Sequence, residues 1–317
     1  MTVQARIDWL KGRQTGIGGS EIAAICGLNQ YKTPMQIWES KVNPITEDNS
    51  TNEPMYWGNV LEEVVAKEYA KRTGYKVQRV NTQMRHPDFN FAIANIDRAV
   101  INPDISGNVR WKDGKLTTDR ILECKTANGF AAKQWGEAGS DQVPDSYLIQ
   151  CQWYLGITGA SVCDLAVLIG GQDFRIYTIN RDDDLINDLL QQGAAFWELV
   201  QNNIAPDPIN YPEAVKKWAI SDPTLSVQAD DLLIDDLEQI QSIKAQVKEL
   251  EAQEDEIKAR VVCALKEAET LIYQGVKVAT CKTQTRTSFD AKAFEKDHPD
   301  LYAQYKKQSS TRILRII

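Results

Sequence analysis

The spacing of apolar and polar positions changes period several times along this 317-residue chain, and each change marks an element. Helical spacing predicts a short helix over Glu21–Cys26, capped by Ser20 and closed by Gly27. A second helix opens at Thr33-Pro34 and runs through Ile37, Trp38 and Lys41. A longer amphipathic helix extends from Met55 to Thr73 and stops at Gly74. Strand-like runs follow near Tyr75–Val80, Phe91–Ile96, Asp97–Ile101 and Ile121–Lys125. A helix around Tyr147–Leu155, strands near Val162–Leu168 and Phe174–Ile179, and a helix over Asp182–Asn202 complete this part.

Pro206, Pro208, Pro212 and Pro223 break up the next segment, which reads as a domain boundary. Beyond it Leu233, Leu237, Ile240, Ile243, Val247, Leu250, Ile257 and Val261 recur at steps of three, four or seven on one long helix. Glu254 interrupts this heptad-like seam, which favours packing within the chain over an intermolecular coiled coil. A hairpin around Gln274-Gly275 joins Leu271–Tyr273 to Val276–Thr287, and a helix capped by Asp290 and a closing strand near Ile313–Ile316 follow. The pattern is that of an α/β (α+β) chain. Residues 1–215 form one domain, and residues 216–317 form an extension with a long helix and a small α+β unit.

A chain with 43% hydrophobic and 25% charged residues can bury a sizeable core. No run approaches the ~18 apolar residues that span a membrane, and the first residues lack the pattern of a secretory signal, so a cytoplasmic location with no membrane partner is expected. The six cysteines are scattered without a Cys-x-x-Cys pair, which points to neither a zinc site nor a disulfide framework. His86 and His298 each lie beside a proline and leave little scope for a histidine-based triad. The net charge of −8 argues against a generic nucleic-acid coat but leaves room for a local basic channel. Residues 226–270 carry about −7 and residues 276–317 about +5, an asymmetry that fits either an interaction surface or two solvated faces.

With histidine and cysteine chemistry set aside, carboxylates and lysine remain. Ile121-Leu122-Glu123-Cys124-Lys125-Thr126 places Glu123 and Lys125 on one side of a strand and Leu122 and Cys124 on the other, towards a core. Asp97 ends an apolar strand upstream. Two carboxylates and an ammonium are the minimum for metal-assisted cleavage of a phosphodiester. The bare spacing is weak evidence, since Glu39-Ser40-Lys41 and Glu256-Ile257-Lys258 share it on helices. Five further residues fit one site. Glu62 or its neighbour Glu63 can supply another carboxylate, but the two point about 100° apart, so only one faces the site. Tyr147 and Gln150, three apart, share a helix face. Arg13 and Ser20 bracket a glycine-rich loop suited to an anion.

Taken in order, Trp9-Leu10-Lys11-Gly12-Arg13 with Gly16-Ile17-Gly18-Gly19-Ser20-Glu21-Ile22, Tyr31-Lys32-Thr33-Pro34, Trp57-Gly58 with Glu62, Ala94-Asn95-Ile96-Asp97, Glu123-Cys124-Lys125, and Tyr147 with Gln150-Cys151-Gln152 resemble the YqaJ-type viral recombinase family. This group includes the lambda-exonuclease-like alkaline exonucleases of phage. The resemblance covers roughly residues 9–200 and implies a restriction-endonuclease-like core, a central mixed sheet flanked by helices. It implies that Asp97 and Glu123 ligate two Mg²⁺ ions, for which Mn²⁺ can substitute, with help from the Cys124 backbone carbonyl and Glu62. Lys125 would activate or place the water, Gln150 and Tyr147 would assist around the scissile phosphate, and Arg13 and Ser20 would hold a DNA 5′-phosphate. The implied activity is 5′→3′ digestion of double-stranded DNA ends in homologous recombination. It leaves 3′ overhangs for a phage single-strand annealing protein and is carried out by a homo-oligomer, a ring-shaped trimer in the lambda type.

The chain departs from that pattern in three places. Ile96 precedes Asp97 in place of a proline, Arg98 follows it in place of a glycine, and the region after about residue 215 has no counterpart in the compact lambda type. An endonuclease on the same fold and a non-catalytic scaffold that binds DNA ends are the alternatives. Intact Asp97, Glu123 and Lys125 argue against the scaffold.

Overall fold

The computed structural model describes residues 3–45, 53–104, 108–307 and 310–316. It divides into two compact units, Met1–Lys217 and Trp218–Ile317.

The first unit is built on a five-stranded mixed sheet. Its strands are β1 (Val77–Gln78), β4 (Arg98–Val100), β7 (Arg120–Ala127), β8 (Val162–Ile169) and β9 (Asp173–Asn180), in the spatial order β1-β4-β7-β8-β9. Only β7 and β8 pair in parallel, in register from Arg120 opposite Val162 to Ala127 opposite Ile169. A parallel pair needs a crossover. The chain supplies it through a 3₁₀ turn, Gly129–Gln134, and helix α5 (Asp145–Thr158). Short strands β2 (Met84–Arg85) and β3 (Ile93–Ala94) pair with each other, as do β5 (Trp111–Lys112) and β6 (Lys115–Leu116).

Both faces of the sheet are covered. Helix α4 (Glu53–Thr73) lays Val65, Ala66 and Tyr69 on Leu122, Cys124 and Ala166. The opposite face carries Ile121, Leu165 and Val167, which share the main core with α2 (Gly19–Ile25), α3 (Pro34–Val42), α5 and α6 (Asp183–Gln201). The expected central mixed sheet flanked by helices is therefore present, and the face assigned to Leu122 and Cys124 is the one that packs under α4.

Local signals account for most boundaries. Thr33 Oγ1 accepts the Gln36 N–H at 3.2 Å while Gln36 Oε1 accepts the Thr33 N–H at 3.1 Å, a reciprocal cap that starts α3. Helices α4 and α5 end at Gly74 and Gly159, both at positive φ. Ser20 is not the cap of α2. The helix begins at Gly19, and Glu21 accepts the Gly18 N–H at 2.8 Å. Helix α1 (Val3–Gln14) and helix α7 (Tyr211–Lys217), the latter inside the proline-rich segment, were not expected from spacing.

The second unit holds α8 (Asp231–Leu265), a hairpin of β10 (Thr270–Tyr273) and β11 (Val276–Thr280), α9 (Ala291–Asp297) and α10 (Pro299–Tyr305). Gln274 and Gly275 both take positive φ, as a two-residue hairpin turn requires, and Asp290 caps α9. Strand β11 stops at Thr280, and no strand forms over residues 310–316, so the expected closing strand is absent there. Along α8, Ile243, Val247, Leu250 and Ile257 are 46–63% exposed, Leu237 and Ile240 are half-buried, and of the helix's residues only Leu265 is buried. Among the described residues no helix is long and apolar enough to cross a membrane.

Candidate active site

Alternation along β4 and β7 decides which groups meet. Arg98 pairs in register with Leu122, whose side chain packs under α4. Asp97, one residue earlier, therefore shares the other face with Glu123. The ladder between β4 and β7 stops at this point, and the Asp97 carboxylate takes the place of a strand partner: Asp97 Oδ2 accepts the Cys124 N–H at 2.8 Å. In a strand the N–H and C=O of one residue point to the same neighbour, so the Cys124 carbonyl faces the Asp97 edge and not β8.

Around Glu123 the contacts are short. Lys125 Nζ donates to Glu123 Oε1 at 2.7 Å, and Gln150 Nε2 from α5 donates to the same oxygen at 2.5 Å. Gln150 Nε2 also reaches the Tyr154 hydroxyl at 3.2 Å. The Lys125 ammonium lies 5.3 Å from the centre of the Tyr147 ring, which stacks on Trp135. Glu123 is 3% exposed, and its Oε2 is buried with no hydrogen-bond partner. The structure thus brings together Asp97, Glu123, Lys125, Gln150 and Tyr147.

The electrostatics follow from burial. Desolvation, with Glu123 alongside, pushes the Asp97 carboxyl well above its ordinary range. Burial likewise raises Glu123, against the pull of Lys125. Desolvation alone would lower Lys125, but Glu123 and Asp97 outweigh it and raise it, so this lysine stays charged. Burial and the Glu123 charge also raise Tyr154.

Glu62, on α4 one turn before Ala66, lies near enough that its charge helps raise both Asp97 and Glu123. Arg98 Nη1 holds it at 2.5 Å while Arg98 Nη2 holds Glu63 at 2.7 Å. Arg79 adds a 2.8 Å contact to Glu63, whose carboxyl the two arginines hold down to about 2. Among the described residues no group of three His, Cys, Asp or Glu side chains is arranged to hold a metal ion. The donors that remain still suit a hard cation. A buried carboxylate with an unpartnered oxygen, a half-buried one and a backbone carbonyl at the same edge are oxygen ligands of the kind Mg²⁺ takes.

Arg13 and Ser20 also meet, with Arg13 Nη2 3.4 Å from Ser20 Oγ. The loop is more crowded than its glycines suggest, because Glu21 binds Arg13 at 2.9 Å and Lys41 at 2.8 Å and has taken the Gly18 N–H. Burial pushes Glu21 up, but Arg13 and Lys41 outweigh it and hold its carboxyl below the ordinary range. Gly19 ties this loop to the carboxylate cluster, since a Cβ there would lie 2.7 Å from the Tyr154 ring and 2.8 Å from Gln150. Sequence reasoning missed Tyr154, Glu21, Lys41 and the role of Arg98. Tyr154 had a signal, being four residues from Gln150 on one helix face. Lys41 had none, because its partner lies twenty residues away.

A family model described as the YqaJ-like viral recombinase domain matches residues 8–161. Over 316 residues the chain is 34% identical to an uncharacterised protein YqaJ of Bacillus subtilis (strain 168), covering 97% of this chain and 93% of that relative. Among solved structures it is similar to an alkaline exonuclease (LHK-Exo) from Laribacter hongkongensis, at 19% identity and a TM-score of 0.48 over 62% of this chain and 93% of that one. It is also similar to a phage related exonuclease from Haemophilus somnus 129PT, at 13% identity and a TM-score of 0.44 over 60% and 95% of the two chains.

Proposed function

The chain belongs to the YqaJ-like viral recombinase family, and from that premise we propose that it is a Mg²⁺-dependent exonuclease that digests double-stranded DNA from its 5′ ends. The observation that carries the reading is the convergence of half-buried Asp97 and buried Glu123, with Lys125 beside them and one Glu123 oxygen left without a partner. Two such carboxylates repel a phosphodiester, so their convergence makes chemical sense only with divalent cations.

Asp97, Glu123 and the Cys124 carbonyl, with Glu62 beside them, would hold the metal. Divalent cations bound there, two in this reading, would neutralise the carboxylates and supply positive charge for the attacking and departing oxygens. Gln150 fixes Glu123 Oε1 and so aims Oε2 into the site. Lys125, held charged by both carboxylates, does not serve as a base; it donates hydrogen bonds that orient the water and steady negative charge on the phosphate. The Tyr147 ring confines the ammonium from one side. Arg13 and the Ser20 hydroxyl receive the 5′-phosphate of the DNA end, with Lys41 offsetting Glu21 so that the pocket keeps a net positive charge. The product is a duplex with 3′ overhangs, the substrate of a single-strand annealing protein in phage-type recombination.

The test is digestion of a duplex labelled separately at its 5′ and 3′ ends, beside a covalently closed circle, with Mg²⁺ and with chelator. Early release of 5′-label from linear DNA alone, lost in chelator, is the expected result. Cleavage of the circle would replace the reading with an endonuclease.

A further inference from the structure

The feature that the nuclease site leaves unused is the exposed seam of α8. This helix has 35 residues, five heptads. Its innermost positions repeat at a spacing of 3.5 residues. One row holds Leu233, Ile240, Val247, Glu254 and Val261, and the other holds Asp236, Ile243, Leu250, Ile257 and Ala264. A straight partner loses such a seam after two or three turns, because an α-helix repeats every 3.6 residues; another long helix supercoiled around it does not. The repeat runs beyond the three or four heptads that a coiled coil needs. Among the described residues most of the seam is exposed, with Val247 at 46%, Leu250 at 63% and Ile257 at 53%, while Ile240 is half-buried.

Charge identifies the occupant and its direction. A parallel pairing of two α8 helices sets Glu254 against Glu254 of the partner subunit and Asp236 against Asp236 of the partner subunit, like charges inside the seam. An antiparallel pairing about an axis at Lys248–Glu249 avoids both. It overlaps the helices over nearly their full length, placing Val247 opposite Leu250 of the partner subunit and Ile240 opposite Ile257 of the partner subunit. Glu254, which keeps its ion pair with Lys258 at 3.0 Å, then faces Ile243 of the partner subunit. Three of the flanking pairings agree in this register, while Leu237 falls opposite Lys258 of the partner subunit. Lys244 meets Glu251 of the partner subunit twice across the two-fold, Gln246 meets Gln253 of the partner subunit, and Gln239 meets Arg260 of the partner subunit. A shift of half a heptad pair in the antiparallel sense instead sets lysine against lysine and glutamate against glutamate. Head-to-tail helix dipoles add to the same preference.

We infer that α8 is an interaction surface for a second copy of this chain, forming a closed antiparallel two-helix coiled coil about Lys248–Glu249. The inference stands apart from the proposed reaction, since it uses no residue of the nuclease cluster.

Two measurements on the full chain test it. Light scattering coupled to size exclusion is expected to give a dimer mass that falls to the monomer in Val247→Asp/Leu250→Asp, a change on an exposed face that leaves the fold intact. A wild-type monomer, or an oligomer that the double substitution leaves unchanged, overturns the inference. Orientation is read from a spin label at Asp235→Cys in a chain whose Cys26, Cys263 and Cys281 are serine. Antiparallel helices place the two labels about 40 Å apart, and parallel ones within about 20 Å. The short distance overturns the antiparallel register.

Discussion

Replacing Asp97 with asparagine should stabilise the nuclease unit while removing its activity. Half-buried Asp97 sits beside buried Glu123, and desolvation with the charge of its neighbour holds the Asp97 carboxyl well above its ordinary range. At pH 8, in chelator, ionising both is a strain that an amide relieves. Relief of such functional strain is worth about 1–2 kcal/mol. For a unit of this size, Met1–Lys217, each kcal/mol moves the melting temperature by about 2–4 °C, so the Asn variant should melt about 2–8 °C higher. The amide oxygen can still accept the Cys124 N–H, now bonded at 2.8 Å. Asp97→Ala cannot, and an orphaned buried N–H costs about 1–3 kcal/mol, which cancels the gain. Thermal unfolding followed by circular dichroism of the three proteins separates these terms. Mg²⁺ at a hundred times its dissociation constant should add about 2.7 kcal/mol to the wild type and little to either variant. An Asn variant that melts below wild type in chelator, or equal Mg²⁺ stabilisation of all three, would refute the reasoning.

Gly19→Ala should act at a distance from the charges, because its Cβ would press on Tyr154 and on Gln150 and shift the amide that holds Glu123. The expected loss of turnover is about a hundredfold, with duplex binding retained, checked by single-turnover digestion. Glu62→Gln should weaken Mg²⁺ binding about ten- to a hundredfold in titration calorimetry, because its charge acts on both Asp97 and Glu123; unchanged affinity would remove Glu62 from the ligand set. Glu21 has a folded-state carboxyl held below its unfolded value of about 4.3, so it contributes stability above that pH and loses it as the pH falls through the lower folded value. Urea unfolding of wild type and Glu21→Gln should therefore differ at pH 7 and converge towards pH 3.

How much of this was legible depended on whether the signal was local. β7 could be read because alternation separates Glu123 and Lys125 from Leu122 and Cys124 within four residues. The start of α3 could be read because Thr33, Pro34 and Gln36 write a cap. Helix α1 could not, since Val3–Gln14 has charges on every side, and α7 was hidden among prolines that would ordinarily break a helix. Which of Glu62 and Glu63 turns towards the carboxylates was not legible, and Arg98, which binds both, had no signal in the spacing. A motif on a helix does not state which sheet face the helix covers, whereas the alternation of Asp97 and Arg98 does once their strand register is known. The seam of α8 was visible in the spacing, but whether another part of the chain covers it is a tertiary fact that spacing does not carry.

The account turns on whether the Asp97–Glu123–Lys125 cluster is where DNA is cut. Binding and hydrolysis of the same 5′-phosphorylated linear duplex should be measured together for wild type and Lys125→Met, in Mg²⁺. The account predicts equal end binding and a loss of hydrolysis of at least about a hundredfold in the variant. Undiminished hydrolysis by Lys125→Met would contradict it, and a wild type that binds ends but leaves them intact would make the chain a scaffold.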